Sequence, residues 1–174
     1  MLDISVSYNR YKFLGNEFLT WLWYVIENDP ERIERSEKEL ISLEIGNRIV
    51  LENTRKNALE TITIRGDDAG LEEGILALRK GALVIELNLF YKSGDQEWYF
   101  TIKGESLNIS SLKLPHTGKI ETHKDLEGIV IEKAYLINKV IQSIDNLFKQ
   151  FIKSRVSTDW IEKVVPLIRQ WIYS

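Results

Sequence analysis

From Leu14 to Ile26 the chain is almost unbroken in its apolar residues. Leu14, Phe18, Trp21, Leu22 and Val25 advance by four, three, one and three, which is one face of an α-helix. Leu19, Trp23, Tyr24 and Ile26 occupy the other faces, and Thr20 is the one polar residue from Phe18 onward. A helix that is apolar all round has to be covered on every side by protein or lipid. This one falls short of the roughly 20 apolar residues that a bilayer span requires. The pattern therefore predicts a buried core helix around which the remainder of the chain is arranged.

Upstream, Leu2, Ile4, Val6 and Tyr8 alternate with Asp3, Ser5, Ser7 and Asn9. That period of two predicts a strand over Met1 to Arg10 and does not resemble the apolar run of a signal peptide. Downstream, Asn28 to Glu39 is charge-rich and opens on Asp29-Pro30, which predicts a connector or a short surface helix beginning at the proline. The period then returns to two. Leu43 and Ile45 before Gly46-Asn47, with Ile49 and Leu51 after it, predict a two-residue hairpin. Asn53 to Asn57 is polar and reads as a loop, and Glu60 to Arg65 alternates threonine with isoleucine as a further strand.

Helix boundary signals are clearest between Asp67 and Gly81. Asp67 or Asp68 is placed to cap, Glu72 and Glu73 lie near the start, Arg79 and Lys80 in the last turn, and Gly81 just beyond it. Leu71, Ile75 and Leu78 form the stripe, and Gly70 and Gly74 beside it predict close approach to a sheet. A second run of strands follows. Leu83, Ile85, Leu87, Leu89 and Tyr91 share one face, Ser93-Gly94-Asp95 turns the chain, and Trp98, Phe100 and Ile102 carry the face back. Gly104-Glu105 turns again into Leu107 and Ile109, the alternation slips at Ser110-Ser111 as at a β-bulge, and Pro115 ends the strand.

After a polar loop from His116 to Asp125, Val130, Ile137, Ile144 and Phe151 recur every seventh residue. Ala134, Ile141 and Phe148 follow the first three by four, and Val140 and Leu147 widen the stripe. This predicts an amphipathic helix of roughly 28 residues, about 42 Å long. A last helix is capped from Ser157, Thr158 or Asp159, with Glu162 at capping-box spacing, a stripe of Trp160, Val164, Ile168 and Trp171, and a kink at Pro166. Together these elements predict a single α+β domain over residues 1–174. An antiparallel β-sheet in two three-strand blocks is packed with a buried N-terminal helix, a middle helix and two C-terminal helices.

Charge changes the functional picture more than composition does. A net charge of -3 gives the whole chain no reason to seek a polyanion, so any nucleic-acid contact needs a local basic face. Absence of cysteine excludes disulfides and thiolate metal sites and fits a reducing cytoplasm. His116 and His123 share one loop but fall short of the three or four ligands of a zinc site. Asp67, Asp68, Glu72 and Glu73 are explained by capping and the helix dipole without a cation. Glu17, a turn before Trp21, is the acid best placed to be drawn inward, yet a first-turn position also keeps it wet. With no phosphate loop, nucleophile elbow or zincin motif in the chain, a non-enzymatic role is expected, without metal, cofactor or small-molecule ligand. Lys149, Lys153, Arg155, Lys163 and Arg169, near the junction of the last two helices, are the candidates for phosphate contact.

Several segments in order resemble the C-terminal part of long bacterial RdgC-like proteins, the recombination-associated family. They are Leu14-Gly15, Phe18-Leu19, Trp21-Leu22, Thr101-Ile102-Lys103-Gly104, Leu112 to Pro115, Glu132 to Leu136, and the closing Trp160 and Trp171. The resemblance implies a cytoplasmic bacterial protein associated with DNA recombination or replication, contacting duplex DNA weakly and without sequence preference or serving as a docking module. No residue role is transferred by motif. The alternative is a protein-interaction or oligomerisation domain without nucleic-acid binding, a homodimer formed through apolar surface at Ile137, Ile144 and Phe151.

Overall fold

The computed structural model describes residues 4–34, 41–55, 58–66, 68–118 and 123–174. Five strands form one curled antiparallel sheet in the order β2-β1-β3-β4-β5, with β1 at Ile41–Arg55, β2 at Ala58–Arg65, β3 at Leu83–Ser93, β4 at Gln96–Lys103 and β5 at Ile109–Lys113. The helices are α1 (Ile4–Asn28), α2 (Pro30–Glu34), α3 (Asp68–Arg79), α4 (His123–Arg155) and α5 (Val165–Tyr173). An α+β architecture is present, but as one five-stranded sheet and not as two three-strand blocks.

The core helix is where the hydrophobic pattern placed it. Phe18, Leu19, Trp21, Leu22, Trp23 and Val25 of α1 are fully buried. Each face has its own cover. Phe18 and Trp21 meet Phe151 of α4, Trp23 and Tyr24 meet Trp171 of α5 edge-on, and the rim of the Trp23 indole lies against Gly74 of α3. Gly15 supplies the contact with the sheet. A β-carbon there would stand 1.7 Å from the carbonyl oxygen of Gly104, in the turn after β4, so helix and turn touch backbone to backbone. Two glycines are needed for that approach.

The expected N-terminal strand is instead the start of α1, which runs helical from Ile4. A period of two over ten residues also contains i, i+4 pairs, and extending an established helix adds one hydrogen bond for each residue fixed. The expected hairpin at Gly46-Asn47 is also corrected: β1 runs straight through it. Ile45 pairs with Leu89 but Ile49 pairs with Leu87, so β1 carries two extra residues there. Two extra residues preserve the alternation, and Ile41, Leu43, Ile49 and Leu51 all stay on the buried face. Gly46 has ordinary φ; what it provides is room, because a β-carbon would meet the Asn88 amide oxygen at 2.1 Å. The segment read as a loop from Asn53 remains strand to Arg55, and β1 meets β2 through Arg55 and Ala58.

A single extra residue has the opposite effect in β3. Val50 pairs with Glu86 and Leu51 with Val84, leaving Ile85 unmatched. Below that bulge the faces exchange, so Val84 is buried and Leu83 half exposed, against the shared face expected for Leu83 and Ile85. The other turn signals hold. Gly94 (φ 58°) closes the β3–β4 hairpin, Gly81 (φ 87°) follows α3, and Ser111 (φ 53°) sits at the register shift of β5 on β4.

α4 is longer than expected, at 33 residues, and it lies across β3 and β4 with a different face inward. Trp98 donates its indole N–H to the Leu136 carbonyl at 3.2 Å, and the hydroxyls of Tyr91 and Ser143 bond at 3.1 Å. Among the described residues of the helix, Ile129, Leu136, Val140, Ser143, Ile144, Leu147 and Phe151 are buried. Beyond α4, one π-turn over Trp160–Val164 leads into α5, with the Val165 N–H donating to the Trp160 carbonyl. Pro166 at the start of α5 has no N–H to return to Glu162, which accounts for the irregular turn where a kink was expected. Asp159 makes no side-chain cap; its carboxylate pairs with Lys163.

Candidate interaction surfaces

Two surfaces of the described residues involve α4. Between Ile129 and Leu136, both buried, every residue of the helix from Val130 to Tyr135 is exposed, a run longer than one full turn. Val130 is 58% and Ile131 71% exposed. The stripe Val130, Ala134, Ile137, Ile141 advances by four, three and four, the spacing of a two-helix seam. Further along α4 the same side of the helix reaches Phe148, which is covered by an edge-to-face contact with Phe18 of α1.

Of the residues expected to offer apolar surface, Ile137 is at the surface, 37% exposed, whereas Ile144 and Phe151 are 7% and 0% exposed and belong to the core. The sevenfold repeat had merged two neighbouring stripes. α4 has more apolar positions than one contact face needs, and the surplus was legible; which of the two stripes turned inward was not.

The five basic candidates divide differently. Lys149 pairs with Asp145 at 2.6 Å and Lys163 with Asp159 at 2.7 Å, each one turn away on its own helix. Arg155 donates through Nε to Glu17 at 2.7 Å and lies over the Trp160 ring. Glu17 is thus a half-exposed ion-pair partner between α1 and the end of α4. Arg169 is exposed on α5. Lys153 is exposed without an ion pair among the described residues, and it opens onto a groove of about 480 Å³ between α2, α4 and the π-turn. Arg32 and Lys163 line the same groove, with Gln150, Ser154, Ser157 and Asp159, against an apolar wall of Val164 and Leu167. Arg32 carried no sequence signal, because more than a hundred residues separate it from Lys153. Only folding brings them to one place.

The acidic group proposed around Asp67 lies partly outside the described residues, as does the loop between the histidines; Glu72 and Glu73 are exposed on α3. Among the described residues no three histidine or carboxylate side chains gather as a metal site would require. None of the described helices is long and apolar enough to cross a membrane. Comparison of the chain with protein-family models, with curated proteins and with solved structures finds no match to any of them.

Proposed function

We propose that this chain is a non-enzymatic assembly module that pairs with a second copy of itself through the outward face of α4. The observation that carries this reading is the exposed apolar run on the first half of the helix. Leu126, Val130, Ile131, Tyr135, Ile137 and Ile141 are exposed along it. Leu126, Val130, Ile137 and Ile141 share the seam side and leave on the order of 300 Å² of apolar surface, the lower end of the largest patch of a typical monomer, while Ile131 and Tyr135 extend it round the helix. Ala134 in the middle of the seam allows close approach. A two-fold axis passing between Ala134 and Ile137 sets Val130 against the second copy's Ile141 and Ala134 against its Ile137, an isologous antiparallel pair in which every apolar position of the seam meets another.

Sedimentation across a concentration series, into the hundreds of micromolar, tests this directly. A dimer is expected, and a monomer throughout would refute the pairing. Val130→Glu with Ile141→Glu sets like charges face to face and should abolish association, whereas Val130→Glu with Ile141→Lys sets opposite charges there and should recover part of it. A parallel pair would be broken equally by both.

Association with duplex DNA, the expectation from the family resemblance, stands as a second proposal. Its support is the basic groove at Lys153; the pairing of Lys149, Arg155 and Lys163 with carboxylates leaves fewer cations for backbone phosphates than the sequence alone suggests. Duplex affinity measured against salt tests it, since phosphate-driven binding is strongest at low salt and falls steeply as salt rises.

A further inference from the structure

We infer that the groove between α2, the end of α4 and the π-turn is a binding site for a phosphate ester. Three cations line it: Lys153 at the end of α4, Lys163 ten residues on in the π-turn, and Arg32 from α2, more than a hundred residues away in sequence. One carboxylate, Asp159, lies among them, and it is held by Lys163 at 2.7 Å. The α4 C-terminus contributes a partial charge of about -0.5, so the groove stays positive by about 1.5 charges on a chain whose total is -3. Compensation of the helix end accounts for Lys153 alone. The Asp159 ion pair accounts for Lys163, but neither effect gives a reason for Arg32 to face the same opening.

The donors match a phosphate better than a carboxylate. A phosphate monoester presents close to two negative charges and three acceptor oxygens that diverge, and here three cationic side chains line one groove. The Arg32 guanidinium is positioned by the Trp21 ring, 5.7 Å below it. Ser157 already donates its hydroxyl to the Ser154 carbonyl, but the Ser154 hydroxyl and the Gln150 amide make no hydrogen bond among the described residues and complete the donor set. Val164 and Leu167 offer an apolar wall to the organic part of the ester. At about 480 Å³ the groove is larger than a bare phosphate needs and of the size of small-ligand sites. Nothing in this inference depends on the pairing of α4.

Titration of the isotope-labelled chain with inorganic phosphate at low ionic strength, read from backbone amide shifts, is the test. Saturable shifts confined to residues around Lys153, Ser157 and Lys163 are expected. Lys153→Gln should weaken the response, and Lys153→Gln with Lys163→Gln should weaken it by about tenfold or more. Lys149→Gln, outside the groove, should leave it unchanged. Absence of saturation, or an equal response in the double variant, overturns the site. A parallel titration with a short DNA duplex separates the sources. Duplex binding lost in the same variants assigns the phosphates to a nucleic-acid backbone, and phosphate binding without duplex binding assigns them to a small phosphate ester.

Discussion

Single atoms decide the helix–sheet contact. With a Gly15 β-carbon 1.7 Å from the Gly104 carbonyl oxygen, Gly15→Ala forces α1 off the turn after β4, and a loss of about 3 kcal/mol is expected in urea unfolding. Gly128 in α4 has nothing within 4 Å of its β-carbon position, so Gly128→Ala should act in the opposite direction and stabilise by about 0.5–1 kcal/mol. The same substitution thus has two signs in one protein, set by what lies opposite. Tyr91 and Ser143 give a third reading at this scale. Their hydroxyls bond in a buried setting, so Tyr91→Phe should cost about 1–2 kcal/mol by stranding the serine, and the double variant with Ser143→Ala should cost less than the two single changes summed. Strict additivity would show that the two hydroxyls are not coupled.

Among the elements, α4 carries most of what is distinctive. Its inward and outward stripes use the same residue types, and neighbouring positions test which is which. Ile144→Ala should cost about 2–5 kcal/mol because it opens a cavity beneath the helix. Ile141→Ala, three residues earlier, should stay within about 0.5 kcal/mol when measured below the concentration at which chains associate. A large loss at Ile141 under those conditions would mean that the outward face is packed within one chain. The bulges in the central strands belong to the same scale. Two extra residues in β1 keep its hydrophobic register and one in β3 reverses it, so Val84 enters the core although the alternation after it selects odd-numbered positions. Turn and bulge residues look alike in sequence: Gly46-Asn47 sits inside a strand, whereas Gly94-Asp95 closes a hairpin.

For the whole molecule, association ties stability to concentration. If two copies share the α4 seam, the midpoint of thermal unfolding should rise with protein concentration and lose that dependence in the Val130→Glu, Ile141→Glu variant. A midpoint independent of concentration in the unmodified chain would argue against the seam. What could be read without coordinates was whatever depends on neighbours along the chain: the all-apolar helix that had to be enclosed, the middle helix stopped at Gly81, the Gly94 turn, the slip at Ser111 and the α+β class. These follow from local periodicity and from φ preferences that a few residues impose. What only tertiary structure decided was whatever depends on distant neighbours. The N-terminal segment became helix as a continuation of α1. Gly46-Asn47 was carried through β1 because β3 supplies partners on either side of it. Ile144 and Phe151 went inward while Val130 and Ile141 stayed out, since α1 and the sheet approach α4 from one direction, and Arg32 reached Lys153 because the fold brings α2 to the end of α4. A residue's type sets what it is able to contact, but the direction from which the rest of the chain arrives selects among contacts that are locally almost equivalent.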